Sequence, residues 1–237
     1  MQTATNFTFQ QIATLRSPYR EKFGIPRQPG LADSITATIE LAEGFNHQDT
    51  VSELSQFSHL WLVFVFDQCL DKGWKAKVRP PRLGGNQKIG VFASRAPFRP
   101  NPIGMSAVRI VSIDAGSQGT SIVVSGADLL DGTPIIDIKP YVPYSDAIED
   151  AHSEFAPSFD TLAQPVIFSE QARLYCQQYL ADHAVDLAQQ ITQVLRCDPR
   201  PAYHKDPNKL YGIALHDLNI EWQISDSQIS VCSVKPR

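Results

Sequence analysis

The chain has 237 residues, of which 43% are hydrophobic and 19% are charged. This length and composition suit one large domain, or one ordinary and one small domain, and exclude a wholly disordered chain. No apolar run approaches the roughly 18 residues of a membrane-spanning helix, and the first residues, MQTATNFTFQQ, lack the basic-then-apolar order of a secretory signal. The sequence therefore predicts a soluble, cytoplasmic protein that does not act at a membrane.

The charge is unevenly distributed along the chain. The formal net charge is −4, yet residues 72–109 contain nine Lys and Arg residues and no Asp or Glu, which leaves −13 for the remainder. Such segregation is typical of a protein that presents one face to a polyanion such as a nucleic acid. The alternative is that these basic residues lie on a solvated loop without a partner.

The first 140 residues have the pattern of short strands separated by turns that contain Gly and Pro. Strands are predicted at residues 7–15, 35–41, 59–66, 89–94, 106–113, 121–125 and 135–138, with a short helix at 49–54. Residues 59–66, HLWLVFVF, are apolar on both faces, which predicts a central strand with Trp61 in the core. This pattern indicates a mainly β fold, either a barrel or a sandwich.

The rest of the chain has a different character. Residues 140–172 contain six acidic residues and no Lys or Arg, which indicates a linker or an exposed arm. Helices are predicted at 169–182 and 186–195, and strands at 211–224 and 229–234. We therefore predict two domains, a strand-rich one at residues 9–149 and a small α+β one at 150–237.

The common catalytic and cofactor motifs are missing from the sequence. It contains no Walker A, G-x-S-x-G or H-E-x-x-H pattern, and no G-x-G-x-x-G follows a predicted strand. The four cysteines form no C-x-x-C pair and lie far apart, which predicts reduced thiols instead of disulfides or a zinc site. We expect no metal.

Four loops combine prolines and glycines with polar side chains, at residues 26–30, 79–86, 98–104 and 131–134. Rigid loops on a β scaffold hold binding groups in place at little entropic cost, although turn chemistry alone explains any one of them. Their arginines suit phosphate oxygens. The aromatic candidates for stacking on a nucleobase are Trp61, Trp74, Phe92 and Phe98, and Phe98 is a better candidate than Trp61.

Several longer segments together resemble one known family. In chain order they are RSPYREKFGIPRQPGL, FSHLWLVFVF, RPPRLGGN, GVFASRAPFRPNPIGMS, DLLDGTPIIDIKPY, DPRPAY and LHDLNIEW. They are similar to the TsaA/YaeB family, also called TrmO. The resemblance implies an S-adenosylmethionine-dependent methyltransferase acting on N6 of threonylcarbamoyladenosine at tRNA position 37, mainly in threonine tRNAs. It also implies a homodimer and a β-barrel, in place of a Rossmann-like domain, for the cofactor.

The resemblance extends to individual site residues. The implied cofactor-binding residues are Gln28, Pro29, Gly30, Asp67, Gln68, Arg95, Met105, Leu130, Asp131, Gly132, Thr133 and Pro134. Members of the family carry His-Gln where this chain has Asp67 and Gln68, so at position 67 we expect a backbone contact to survive better than a side-chain contact. The residues implied to face tRNA are Arg79, Arg82, Arg99 and Arg200.

The implied reaction is an in-line displacement at a sulfonium methyl, so positioning of the reactants comes first. N6 of the carbamoylated nucleoside is relatively acidic, which makes a proton acceptor useful. Asp131 is the first candidate and Asp137 the second, with Tyr141 as a positioning hydroxyl. Each carboxylate also has an alternative role, because Asp131 can cap its turn or hold the cofactor and Asp137 can pair with Lys139.

Two other functions are compatible with the sequence. One is a non-catalytic RNA-binding barrel that has kept the scaffold, and the other is a methyltransferase of the same type acting on another modified nucleoside. The intact cofactor loops favour an enzyme over a binding module.

Overall fold

A computed structural model describes residues 5–80, 87–116, 119–154, 161–200, 206 and 209–237. The strands are β1 (Ala13–Arg16), β2 (Thr36–Leu41), β3 (His59–Val65), β4 (Lys77–Val78), β5 (Ile89–Gly90), β6 (Ile103–Gly116), β7 (Gly119–Ser125), β8 (Pro134–Pro140), β9 (Val166–Phe168), β10 (Tyr211–Leu215), β11 (Leu218–Ile224) and β12 (Ile229–Pro236). The α-helices are α1 (Pro143–Asp146), α2 (Glu170–His183) and α3 (Leu187–Arg196). Short 3-10 turns lie at Glu43–Phe45, Gln48–Val51, Leu54–Gln56, Asp67–Lys72 and Val91–Ala93.

The first unit is a closed barrel with the strand order β1-β2-β7-β6-β3-β8 and antiparallel pairing between neighbours. In β3 the side chains of Leu60, Leu62 and Phe64 belong to the barrel core, and each is at most 4% exposed. Alternate residues face inward because successive side chains of a strand point to opposite faces of the sheet. The prediction of a mainly β fold is confirmed, with the barrel as its architecture.

Trp61 lies between two inward-facing residues of β3 and therefore on the outer face of the barrel. Its indole Nε1 donates a 3.0 Å hydrogen bond to Oδ2 of Asp146 in α1, and its ring packs on Tyr141 with 5.5 Å between centroids. The predicted core position of Trp61 was wrong. Helix α1 covers Trp61 on the outer face of β3, so an apolar residue is favourable there as well. The sequence pattern therefore does not distinguish this position from one in the barrel core.

The second unit is a four-stranded sheet, ordered β10-β11-β12-β9, which packs with α2 and α3. Strand β9 pairs in parallel with β12 and lies within the segment predicted as a linker, so that prediction was wrong for these residues. The two helices begin at capping side chains, since Ser169 Oγ accepts from Ala172 N at 3.2 Å and Asp186 Oδ1 accepts from Gln189 N at 2.9 Å. The predicted α+β character of this unit is confirmed.

The loop at residues 17–35 joins the two units. Three of its buried residues belong to the apolar core of the second unit, namely Tyr19, Ala32 and Ile35. Ser34 Oγ donates to Gln193 Oε1 at 2.7 Å, and Glu21 Oε1 accepts from Ala214 N at 3.0 Å. A segment that precedes β2 of the barrel is therefore held by the second unit. The domain boundary between residues 149 and 150 stays a prediction.

Four other predicted elements differ from the structure. The strand predicted at 7–15 begins only at Ala13, and that at 89–94 is the two residues Ile89–Gly90 followed by a 3-10 turn. The helix predicted at 49–54 is replaced by the 3-10 turns Gln48–Val51 and Leu54–Gln56. The strand predicted at 211–224 is the hairpin β10–β11, because the chain reverses at His216, whose φ is +55°.

The cysteines are free thiols in the structure. Cys69, Cys176 and Cys197 are buried and Cys232 is partly exposed. Burial raises the pKa of Cys176 and of Cys197 to about 11, so both are protonated at neutral pH. Across the described residues, no group of three or more His, Cys, Asp or Glu could hold a metal, and no helix is long and apolar enough to cross a membrane.

Candidate cofactor and RNA site

Two glycines bring the loop that carries Gln28, Pro29 and Gly30 against the loop that follows β7. Gly30 N donates to Gly126 O at 2.8 Å, and the two glycines have φ values of +79° and +75°. A Cβ added at Gly126 would lie 3.0 Å from Gly30 Cα. Glycine is needed here because the conformation is left-handed and because two backbones meet.

Arg95 joins this group from a distant part of the chain. Its Nη1 donates a 2.6 Å hydrogen bond to Gln28 Oε1. Arg95 follows the 3-10 turn Val91–Ala93, whose end is fixed by Ser94 N donating to Val91 O at 3.2 Å. The structure thus brings together two residues that the family resemblance placed in one cofactor site and that lie 67 positions apart.

Asp128 is the residue of this group that the sequence prediction missed. Its Oδ1 accepts a 2.6 Å hydrogen bond from Ser106 Oγ, and Ser106, next to Met105, is only 2% exposed. Burial raises the pKa of Asp128, against the opposing effects of the Ser106 hydrogen bond and the positive charge of Arg95. In the sequence the signal was a single acidic residue in the otherwise apolar run Ala127–Leu130, which is weak because its burial arises only when the barrel closes.

The loop after Asp128 carries the largest group of predicted cofactor residues, from Leu130 to Pro134. It is a fixed turn, since Thr133 Oγ1 donates to Leu130 O at 2.7 Å and Gly132 adopts a φ of +81°. The amide of Asp131 donates to Tyr19 O at 2.9 Å. The turn therefore rests on the same loop that the second unit holds.

The carboxylate of Asp131 has two partners of its own. Its Oδ1 accepts from Ser17 N at 3.0 Å, and its Oδ2 forms an ion pair and hydrogen bond with Arg20 Nη1. This supports the alternative in which Asp131 holds its turn in place. A role of Asp131 as proton acceptor stays a prediction.

The predicted residues Asp67, Gln68 and Met105 lie around the end of β3 and the start of β6, where Met105 directly precedes Ser106, the hydrogen-bond partner of Asp128. Asp67 and Gln68 begin the 3-10 turn after β3, and Met105 in β6 is paired with Val63 and is 55% exposed. Among the described residues, no hydrogen bond links Asp67 or Gln68 to Gln28, Arg95 or Asp128. The structure therefore unites part of the predicted cofactor set, and the role of Asp67 stays a prediction.

The second proton-acceptor candidate, Asp137, pairs with a neighbouring lysine. Lys139 Nζ lies 2.6 Å from Asp137 Oδ2, as the alternative interpretation expected. Tyr141, the positioning candidate, packs beside Trp61 on the outer face of the barrel. The geometry favours neither residue for proton transfer.

The arginines predicted to face tRNA differ in whether their guanidinium groups already bind other residues of the protein. Arg79 is exposed directly after β4, whereas Arg99 Nη1 donates to Val91 O at 3.1 Å and to Ser94 O at 2.6 Å. Arg200 forms a two-point contact with Asp198, through Nε at 2.7 Å and Nη2 at 2.8 Å. Arg82 lies outside the described residues. Among the three predicted arginines that the structure describes, Arg79 is thus the one with the guanidinium most accessible to phosphate.

The aromatic candidate of the basic segment is also partly engaged. Lys75 Nζ lies 4.6 Å from the centroid of the Phe98 ring, which is a cation–π geometry. Phe92 and Trp74 are more open, at 78% and 59% exposure. These two rings, which the sequence also offered for stacking, are the more accessible candidates for contact with a base or with another protein surface.

Comparison with known proteins identifies the family. The family described as tRNA-methyltransferase O N-terminal domain matches residues 14–147, and the TrmO C-terminal domain matches residues 162–237. The chain belongs to the TrmO family. The resemblance stated from the sequence motifs is confirmed.

Individual TrmO relatives are similar over nearly the full length. The chain is 42% identical over 235 residues to the tRNA (adenine(37)-N6)-methyltransferase of Escherichia coli K12, which covers 98% of this chain and 100% of that protein. It is 47% identical over 212 residues to a Pseudomonas aeruginosa protein named as a candidate S-adenosylmethionine-dependent methyltransferase, RcsF, covering 89% and 90% of the two chains. A crystal structure of TrmO from Pseudomonas aeruginosa matches with a TM-score of 0.82 at 37% identity and covers 99% of each chain.

The residues at this TrmO site fit S-adenosylmethionine. The cofactor has an amino-acid end with both charges, a cationic sulfur and a purine with hydrogen-bonding edges, so it needs a mixed set of partners. Arg95, Gln28 and Asp128 supply a guanidinium, an amide and a carboxylate, and Gly30, which is exposed, has no side chain to cover its backbone. A Cβ at Gly126 would separate these loops, so glycine at this position keeps the two loops of the site in contact.

Proposed function

We propose that this TrmO-family protein is an S-adenosylmethionine-dependent methyltransferase that modifies N6 of adenosine 37 in tRNA. Its substrate is the threonylcarbamoyl form of that adenosine, chiefly in threonine tRNAs. The observation that carries the proposal is the convergence of Gln28, Arg95, Asp128 and the Gly30–Gly126 contact at one edge of the barrel. The full-length likeness to the Escherichia coli tRNA (adenine(37)-N6)-methyltransferase supports the reaction and its substrate class.

The cofactor supplies an activated methyl group on a sulfonium when it is bound. The chain then has to hold the acceptor nitrogen in line with that methyl at about 3–3.5 Å. Gln28 and Arg95 fix each other by their hydrogen bond, and Asp128 sets the charge beside them. Asp131 and its turn close the site toward the second unit, where Arg20 holds the carboxylate.

Methyl transfer to N6 is helped by a group that accepts the N6 proton. Asp131 is proposed as the acceptor, with Ser17 N and Arg20 as the groups that orient it. In the Asp131→Asn variant, we expect turnover to fall at least tenfold while cofactor affinity is retained. Near-normal turnover with unchanged cofactor affinity would remove Asp131 from this role and leave it as a turn-holding residue.

Binding of tRNA is proposed to run along the basic segment at residues 72–109. The segment carries nine positive charges and no negative charge, which suits the phosphates of an anticodon arm. The adenosine beside an anticodon lies in a single-stranded loop, so extruding it into a pocket costs little free energy. Binding should therefore weaken steeply with rising salt.

A homodimer in the cytoplasm is part of the proposal. Several large apolar side chains lie exposed around the predicted site, namely Leu70, Trp74, Phe92 and Met105. Exposed apolar surface of this kind is typical of an interface between subunits. Sedimentation equilibrium tests this, since a monomer at micromolar concentration would contradict it.

Calorimetric titration with S-adenosylmethionine is the first test of the function. We expect saturable binding to one site per chain. When threonine tRNA is added, we also expect the mass of the modified adenosine to increase by one methyl group. Threonine tRNA lacking the threonylcarbamoyl group is the control for substrate class. Cofactor binding that occurs only with tRNA would mean that RNA completes the site. RNA binding without any cofactor binding would instead support the non-catalytic RNA-binding barrel.

A further inference from the structure

A groove of about 680 Å³ lies where the barrel meets the second unit. Its barrel side is formed by the loop that begins after Arg16 and by Thr36 and Thr38 of β2. The opposite side is formed by residues of helix α2 and of the β10–β11 turn, namely Tyr175, Tyr179, His183, His216 and Asp217. The cofactor loop contributes Asp131 to the lining, so the groove begins where the proposed cofactor site ends.

The second unit lines the groove with aromatic rings. Tyr179 is central, with its ring centroid 4.3 Å from that of His183 and 5.9 Å from that of His216. Tyr175 lies one turn earlier on α2, with its ring 6.5 Å from Tyr179 and at 24° to it. Such a surface offers stacking contacts to a flat ligand.

His216 is fixed in this wall and carries no charge at neutral pH. Its backbone N donates to Pro18 O at 2.8 Å, and its Nε2 lies 2.8 Å from Gln190 Oε1, a buried side chain. Burial lowers the pKa of His216, with Arg20 and the neighbouring His183 acting in the same direction and Asp217 opposing them. The ring is therefore a rigid, neutral part of the groove.

The charges at the groove are balanced internally. Arg20 pairs with Asp131 on one side and with Asp217, at 3.4 Å, on the other, and Arg16 pairs with Glu40 at 2.8 Å. Little positive charge is left for a phosphate. The arrangement suits an uncharged aromatic ring with hydrogen-bonding edges, to which the Thr36 and Thr38 hydroxyls and the groups around Arg20 offer partners.

We propose that this groove binds an unpaired nucleobase of the anticodon loop, next to the adenosine that is methylated. The inference rests on the proposed tRNA methyltransferase function and extends it, because it gives the second unit a direct part in substrate selection. Stacking on Tyr179 and His183 supplies the affinity, and the position of Asp131 sets the base beside the cofactor loop.

The test titrates the full chain with a fluorescent anticodon stem-loop of threonine tRNA and with a series of loops that each lack one base. For the wild-type protein, we expect one position besides 37 at which loss of the base weakens binding about tenfold. The Tyr179→Leu variant should bind the intact loop about tenfold more weakly and should lose its sensitivity at that one position. Tyr179→Phe, which retains the ring, should behave like the wild type.

Two further variants separate recognition from folding. His183→Ala removes an exposed ring from the groove and should reduce the same sensitivity, whereas Tyr144→Leu removes an exposed ring on α1 and should change nothing. The affinity for S-adenosylmethionine and the thermal midpoint should be unchanged in His183→Ala. If Tyr179→Leu and His183→Ala keep the wild-type base sensitivity, the groove proposal is wrong while the methyltransferase stands. If the wild-type protein neither binds nor methylates the RNA, both proposals are overturned.

Discussion

The two apolar cores of this protein are assembled in different ways. The barrel core consists mainly of residues from its own strands, whereas the core of the second unit also takes in Tyr19, Ala32 and Ile35 from the loop at residues 17–35. That loop also carries Gln28, Pro29 and Gly30 of the proposed cofactor site. A site built at the edge of one unit is thus held in position by the packing of the other.

The largest expected effects come from core truncations that test this difference. Leu62→Ala in the barrel and Ile191→Ala in the second unit each remove a fully buried side chain, and each should lower the free energy of unfolding by about 2–5 kcal/mol. Only Ile191→Ala should also speed amide hydrogen exchange at residues 17–35, because the loop packs in that core. Equal acceleration in both variants would mean that the barrel holds the loop.

The contact between Gly30 and Gly126 gives a smaller effect that is local to the site. Gly126→Ala forces a left-handed alanine and brings its Cβ against Gly30, which should cost about 1–3 kcal/mol of stability and weaken cofactor binding. Gly44→Ala is the matched control, since no atom lies within 4 Å of its added Cβ. Thermal unfolding and cofactor calorimetry on both variants check this. Retained cofactor affinity in Gly126→Ala would exclude the glycine contact from the site.

The carboxyl group of Asp128 is expected to lower the stability of the fold at neutral pH and to contribute to cofactor binding. Its carboxyl pKa is raised in the folded state by burial, so this group favours folding below its unfolded pKa and loses that contribution as pH rises through the raised value. Asp128→Asn should therefore gain stability relative to the wild type as pH increases from 3 to 7, while the affinity for S-adenosylmethionine falls about tenfold at neutral pH. Denaturation and calorimetry across that range test both parts. A variant that loses stability at pH 7 and binds normally would contradict them.

The smallest effect should come from the exposed basic segment. Arg79→Ala should raise the tRNA KM a few-fold and reduce the slope of log affinity against log salt by about one, because one phosphate contact is lost. Cofactor affinity should not change. Arg173→Ala, an exposed arginine on α2 of the second unit, is the control and should leave the salt slope as it is. A collapse of cofactor binding in Arg79→Ala would contradict this division of roles.

The elements that were predicted correctly have strong local patterns. Strand β2 alternates with period two, and α3 has Asp186 at its start and apolar residues at helical spacing. Strand β9 was missed because three residues, Val166–Phe168, carry no period of their own and form a strand only through parallel pairing with β12. The predicted strand at 89–94 was wrong beyond Gly90, because Val91–Ala93 form a 3-10 turn in which Val91 is buried and Phe92 is exposed.

The residues of the candidate site also differ in whether the sequence alone could identify them. Gln28 and Arg95 could be named from the family motifs, although only folding shows their 2.6 Å hydrogen bond. Asp128 could not, because its buried environment is created by Ser106 in β6. The aromatic groove is formed by segments from both ends of the sequence, around Arg20 and around His216. No local sequence pattern indicates that such distant segments come together.

Strand β12 has a consequence for the order in which the protein matures. It lies between β11 and β9 in its sheet, so the second core cannot be completed until residues 229–236 have been synthesised. The loop at residues 17–35 leaves the ribosome early but obtains its packing partners last. Because domains generally fold as units during synthesis, the barrel can close before the loop has packed into the core of the second unit. The ability to bind the cofactor should then appear late in synthesis and in one step. A partly synthesised chain would therefore be unable to methylate tRNA.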